Sequence, residues 1–163
     1  MGVQLIPVIF PDSGIYNFDI VGITIGAESA AAFDELTMTG LDDQLTRQNK
    51  NAWPNFFRTA RLIPAVEYIN ATRHRYLLMQ HMQTFFETVD VVITPTYGGS
   101  QLAITNLTGH PALCMPTGFN QRKLPTSITF VGKLYDEATL LQVGKLFQQA
   151  TTWDDVHPEM FKQ

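Results

Sequence analysis

Val89-Asp90-Val91-Val92-Ile93-Thr94-Pro95-Thr96-Tyr97-Gly98-Gly99-Ser100 is the stretch whose reading decides the fold. Its first six residues are β-branched apart from Asp90, too few for a stable helix, and Pro95 closes them. A run of this kind predicts a strand buried on both faces of a parallel sheet, and therefore an α/β protein. Ligands in such sheets bind beyond the carboxyl ends of strands, so the loop at residues 94–100 is the first place to look for chemistry.

Upstream, Val3-Gln4-Leu5-Ile6-Pro7-Val8-Ile9-Phe10 is nearly all apolar and predicts another strand, at an edge or a bulge because Pro7 has no N–H. Pro11-Asp12-Ser13-Gly14 closes it as a turn. Residues 28–36 hold strong helix formers with Gly40 beyond them, which predicts a helix. Residues 55–87 show apolar side chains at helical spacing, with Ala65, Ile69, Tyr76, Met79, Met82 and Phe86 on one face and Leu78 and Phe85 widening it. Pro64 divides them into two helical pieces meeting near Leu62-Ile63.

Downstream, residues 112–115 and 127–131 are further strands, separated by a turn-rich segment. A last amphipathic helix runs from an N-cap at Asp136 to about Ala150. No repeat or linker interrupts the chain, so residues 1–163 are expected to form a single domain: a partial mixed sheet flanked by helices.

The composition bounds the function. The chain is 45% hydrophobic and 16% charged with 11 Phe, which excludes a disordered tail. A net charge of −4 without a Lys/Arg cluster excludes a nucleic-acid or anionic-membrane partner. No apolar run reaches the roughly 18 to 20 residues of a membrane span, and the N-terminus lacks the pattern of a signal peptide, which favours a cytoplasmic location.

Local motifs carry little chemistry. Gly98-Gly99-Ser100 suggests a nucleophile elbow, but Gln101-Leu102 stands where the closing glycine belongs. His74, His81, His110 and His157 lack ligand spacing, so no metal site is expected, and His110 is read as bonding locally at a turn. The adjacent carboxylates Asp34-Glu35, Asp42-Asp43 and Asp154-Asp155 point apart and are read as solvated surface. Arg58, Arg61, Arg73 and Arg75 are read as a solvated or salt-bridged face. Cys114, the single cysteine, sits in the apolar run Pro111 to Pro116 and is read as a buried small hydrophobe.

One ordered series is left unexplained by local chemistry. It comprises Asp90-Val91-Val92-Ile93-Thr94-Pro95-Thr96, then Thr105-Asn106-Leu107-Thr108-Gly109-His110-Pro111-Ala112, a Pro-Thr-Gly-Phe turn at 116–119, and residues 127–132. In order and spacing it resembles the C-terminal region of the amidase-signature family. Phe10-Pro11-Asp12, Glu28 to Phe33, and Ala52-Trp53-Pro54-Asn55 with Phe57-Arg58 extend the resemblance over essentially the whole chain, most closely to a bacterial amidase branch.

The resemblance implies the C-terminal portion of a large α/β fold that hydrolyses carboxamides without metal or organic cofactor. A lysine acting through a bridging serine would activate a nucleophilic serine, with backbone N–H groups holding the oxyanion. It implies that these three residues lie upstream of Met1, so no catalytic residue is assigned and the chain alone is expected to be inactive. Thr96, Tyr97, Asn106 and Thr108 are expected to wall the cleft for a small-molecule amide. Gly98 to Gln101 stand where the glutamyl-tRNA amidotransferase branch carries an acid, which argues for a stand-alone amidase parent. The alternative is a naturally short, non-catalytic binding or assembly module of the same fold. An incomplete sheet would leave an unpaired edge, so self-association is also expected.

Overall fold

A computed structural model describes residues 2–11, 19–158 and 161. The elements in order are α1 (Asp19–Ala32), α2 (Asp34–Met38), a 3-10 turn (Leu41–Gln44), α3 (Trp53–Ala60), α4 (Ala65–Phe85), β1 (Val91–Pro95), α5 (Gln101–Thr108), β2 (Ala112–Phe119), β3 (Pro125–Gly132) and α6 (Glu137–Ala150). The chain is thus α/β. The described residues of Met1–Asp12 and Met79–Gln163 form one compact unit and those of Ser13–Leu78 a second, the division falling inside α4. No helix among the described residues is long and apolar enough to cross a membrane.

The first unit is organised by a three-stranded sheet in the order β1-β3-β2, with both pairings antiparallel. This corrects the expected role of β1. It is an edge strand with alternating burial, Val92 and Thr94 inward and Ile93 48% exposed. The strand buried on both faces is β3, where Phe130 is 2% and Val131 0% exposed. Only the middle strand has neighbours on both edges and covers on both faces, whatever the β-propensity of its flanks.

The faces of the sheet follow from the register. Leu113 pairs with Phe130 and both point to α6, where Phe130 meets the Phe147 ring edge-on at 5.5 Å and Leu113 lies over Gly144. Asp136 caps α6, its carboxylate accepting from the Thr139 N–H and, at 2.8 Å, from the Thr139 hydroxyl. The other face carries Val92, Thr94, Cys114, Thr129 and Val131, because side chains alternate along each strand. The β2–β3 hairpin turns through Asn120, whose side-chain oxygen accepts from the backbone N–H groups of Arg122 and Leu124.

Residues 2–10 form no strand, contrary to expectation. Pro7 removes a donor mid-run, and the segment lines a cavity of about 860 Å³ together with Thr88 to Ile93 instead of pairing with them. Leu5 and Ile9 remain 76% and 88% exposed. The expected turn lies, from Asp12 on, outside the described residues.

In the second unit, Ala52 adopts an extended conformation before α3 and Pro54 stands in its first turn, where a missing N–H costs nothing. Phe57 is buried and stacks on Phe33 at 4.9 Å, with Trp53 at 5.6 Å. α1 and α3 approach closely at Gly26, where a β-carbon would stand 3.1 Å from Ile63. The break at Pro64 falls where proline chemistry predicts it, between α3 and α4. The buried line along α4, however, is Ala71, Leu78 and Met82, whereas Ile69 and Tyr76 are exposed. Positions 71, 78 and 82 fall in one stripe at helical spacing, and 69 and 76 are turned well away from it.

Asp42 also departs from expectation: it is 1% exposed and not solvated. The 3-10 turn folds its carboxylate to 2.6 Å from the Arg58 guanidinium, which also reaches Asp43 at 2.5 Å. Arg61 pairs with Asp34. Removing Arg58 leaves a buried carboxylate without its counter-charge, so Arg58→Ala is expected to cost about 3 kcal/mol in urea unfolding, and Arg61→Ala under about 1 kcal/mol.

Gly118 ends the hairpin irregularity between Pro116 and Gly118 with φ 114°, and the Trp153 ring lies 3.2 Å from the position a β-carbon would take. Both constraints act against any side chain. Gly118→Ala is expected to lower stability by about 2 kcal/mol and to reduce the thermal midpoint measured by circular dichroism.

Candidate functional site

Beyond the carboxyl end of β1, the chain turns through Thr96 and Tyr97 into α5, which returns to the start of β2. This geometry forms a cavity of about 340 Å³ lined by Thr96, Gln101, Leu102, Thr105, Asn106, His110, Ala112, Cys114 and Thr129. Gly109, at φ 79°, ends α5 in the left-handed conformation that glycine adopts without strain. It lets the chain reverse, so that His110, Ala112 and Cys114 succeed one another along the cavity wall.

The hydrogen-bond directions in this wall can be assigned. The Thr108 hydroxyl donates to the Ile104 carbonyl at 2.7 Å, so its one proton is used. The His110 Nδ1, 2.7 Å from the same oxygen, must therefore be the donor. In the neutral ring Nε2 is left as the acceptor. The ring stacks on Phe86 at 5.2 Å with planes 15° apart. Burial pushes the His110 pKa below its ordinary value of 6.5, since desolvation disfavours the charged ring.

A second chain of hydroxyls runs to the thiol. Thr129, 5% exposed, donates to the Thr96 hydroxyl at 3.2 Å, and Thr96 stands 3.4 Å from Cys114 Sγ. Hydrogen bonding, chiefly from Thr96 and further from Ser127 and Thr129, draws the Cys114 pKa down against the opposing effect of partial burial. Cys114 is exposed, which corrects its reading as a buried hydrophobe. Its neighbours Leu113 and Met115 take the α6 side, so alternation along β2 turns the thiol to the cavity.

At the start of α5, Gln101 is 3% exposed and its Nε2 donates to Thr105 Oγ1 at 3.4 Å. Its Oε1 is buried without a hydrogen-bond partner among the described residues. Asn106 is exposed, its Nδ2 donating to the Leu102 carbonyl at 2.7 Å.

Of the four residues expected on a cleft wall, Thr96 and Asn106 line this cavity together. Thr108 sits behind it, 2% exposed, holding His110. Tyr97 is 89% exposed and does not line it. Gln101, Thr105, His110, Ala112, Cys114 and Thr129 escaped the sequence reading. The spacing of 110, 112 and 114 was the available signal, since alternate residues of a strand share a face.

Chemically the cavity can bind more readily than it can cleave. No serine or lysine lines it, and no hydrogen bond joins His110 to Cys114 among the described residues. Lys133 is held by Asp90 at 3.1 Å. Among the described residues no three His, Cys, Asp or Glu side chains gather to hold a metal ion.

The His110 shift predicts a pH dependence of stability. Below the unfolded value near 6.5 the unfolded chain binds a proton that the folded chain resists, so stability is full above that pH and declines as pH falls through it toward the lowered folded value. Urea midpoints of the native chain are expected to fall more between pH 7.5 and pH 5.5 than those of His110→Gln, which cannot titrate.

No protein-family model matches the chain. Among curated proteins it is 31% identical over 112 residues to the amidase-type component of the glutamyl-tRNA(Gln) amidotransferase of Cyanothece sp., a match covering 57% of this chain and 23% of that one. It is 29% identical over 124 residues to an amidase of Pseudomonas putida, covering 61% of this chain and 26% of that enzyme. Among solved structures, a bacterial aryl acylamidase of the amidase-signature family superposes with a TM-score of 0.71 at 17% identity, over 90% of this chain and 36% of that chain. The homologues of this chain are amidase-signature enzymes, and it shares their fold. The matched segment spans about a quarter of the length of these curated relatives.

Proposed function

We propose that this chain is the substrate-side part of an amidase-signature hydrolase whose longer polypeptide cleaves a carboxamide C–N bond. The observation that carries the reading is the cavity beyond β1, where Thr96 and Asn106 meet, in a chain related over more than half its length to amidase-signature enzymes. Hydroxyl and amide groups on such a wall orient a polar amide, while the nucleophile and its base come from the remainder of the longer protein. Thr108 serves by fixing the His110 ring. Tyr97, beside the cavity in sequence, offers an aromatic face that a bound substrate or the remainder of the protein could cover.

Two sets of relatives match, amidotransferase components and amidases. The stand-alone amidase is favoured on sequence, because Gly98 to Gln101 place no acid in the loop that precedes α5. The outer edges of β1 and β2, unpaired among the described residues, would be covered in the longer protein and would promote self-association of this piece alone.

The test compares this chain with the longer polypeptide encoded by its gene. The chain alone is expected to turn over no simple carboxamide, and the longer protein to hydrolyse one. In the longer protein Asn106→Ala and Thr96→Val are expected to raise KM by about 3- to 10-fold with a smaller change in kcat, the mark of lost binding shared by ground and transition states. Turnover by the chain alone that survives Ser100→Ala would overturn the reading.

A further inference from the structure

The cavity contains two features that binding an amide against Thr96 and Asn106 leaves unused. One is the thiol of Cys114. Because Thr129 donates to the Thr96 oxygen, the Thr96 proton is free to point at Sγ, so the hydroxyl chain presents a donor to the sulfur and favours its thiolate. The direction of the Cys114 pKa shift agrees with that geometry. The other is the carbonyl oxygen of Gln101, buried with no donor among the described residues while its own N–H is turned to Thr105. A buried acceptor without a partner is costly, and a ligand N–H would satisfy it.

We propose that Cys114 is a modification site for small electrophiles bearing a carboxamide, with Gln101 Oε1 accepting the amide N–H and Sγ attacking the adjacent saturated carbon. In the step an S–C bond forms and the bond from that carbon to its leaving group breaks. The leaving group departs as an anion with the electron pair, and the thiol proton has already passed to solvent. A cavity of about 340 Å³ accommodates a molecule of this size. Asn106 and His110 bound the same space, which confines the ligand between the acceptor and the sulfur. This inference shares the cavity of the proposed amidase cleft but does not rest on amide hydrolysis.

Cys114 is the single cysteine of the chain, so labelling reports on one site. The probes are iodoacetamide and iodoacetate, which share a leaving group and differ in that only the first has an N–H. Second-order rates are measured by intact mass on the folded chain, and each is divided by the rate on free cysteine at the same pH. The normalised preference for iodoacetamide is expected to be about fivefold and to vanish in Gln101→Met, the magnitude of one net hydrogen bond. Thr96→Val is expected to move the midpoint of the pH–rate profile upward, and Thr96→Ser, which keeps the hydroxyl, to leave it in place.

A normalised ratio near one, or labelling that appears only in urea, would overturn the proposal, as would a preference that survives Gln101→Met. Should Gln101→Met fail to fold, the native ratio and the Thr96→Val/Thr96→Ser pair decide by themselves. None of these readouts requires turnover. A chain that labels as expected while the longer protein hydrolyses nothing would refute the amidase reading and leave this one standing.

Discussion

β3 is the strand on which the first unit depends, because both antiparallel ladders run along its edges and both faces of its carboxyl half are buried. Its two faces do different work. Phe130 points to α6 and joins an apolar layer with Phe147 and Leu113, whereas the adjacent Thr129 points the other way and supplies the hydroxyl that orders Thr96 and, through it, Cys114. A one-residue slip would exchange these faces, placing a threonine in the apolar layer and a phenylalanine in the polar wall. The hairpin register, set by Asn120 and relieved at Gly118, therefore determines where the cavity has hydroxyls.

The cavity is polar for a reason of chain direction. β1 and β2 run alike on either side of β3, and α5 connects them, so the end of β1, the start of α5 and the start of β2 converge in one place. Backbone turns there and strand termini leave donors and acceptors that side chains must answer. Threonines answer most of them: Thr105 and Thr108 bond back to their own helix, and Thr96 and Thr129 bond to each other. Gln101 Oε1 is left over, and this residual acceptor gives the site its recognition chemistry. Its environment suits holding a polar molecule, and the lack of serine and lysine in the wall assigns bond-breaking chemistry to groups outside it.

Much of the architecture was legible in local pattern. The helix break at Pro64, the Asp136 cap, the β2 and β3 runs and the turn between them each follow from residues acting on their own neighbourhood. The loop after β1 was legible too, since its place follows from where a strand must end. Three features were not legible: the direction of strand pairing, the unpaired state of residues 2–10 and the burial of Asp42. Each depends on a partner remote in sequence. An apolar run such as Val3 to Phe10 has strand character in any context, yet it forms a ladder only where an edge with matching donors lies within reach, and Pro7 spoils the match.

Sequence by itself determined the α/β class, the placement of most elements and the relation to amidase-signature enzymes, because periodicity, proline, capping residues and ordered motifs are written locally. Only the tertiary structure decided that β3 and not β1 is the central strand, that Ala71, Leu78 and Met82 form the buried line of α4, and that Cys114 opens onto a cavity with Gln101 and His110. The physical reason is that burial and hydrogen-bond partnership belong to pairs of groups. A side chain's chemistry is present in its own residue, but the neighbour that buries it, pairs with it or leaves it unsatisfied is supplied by another part of the chain.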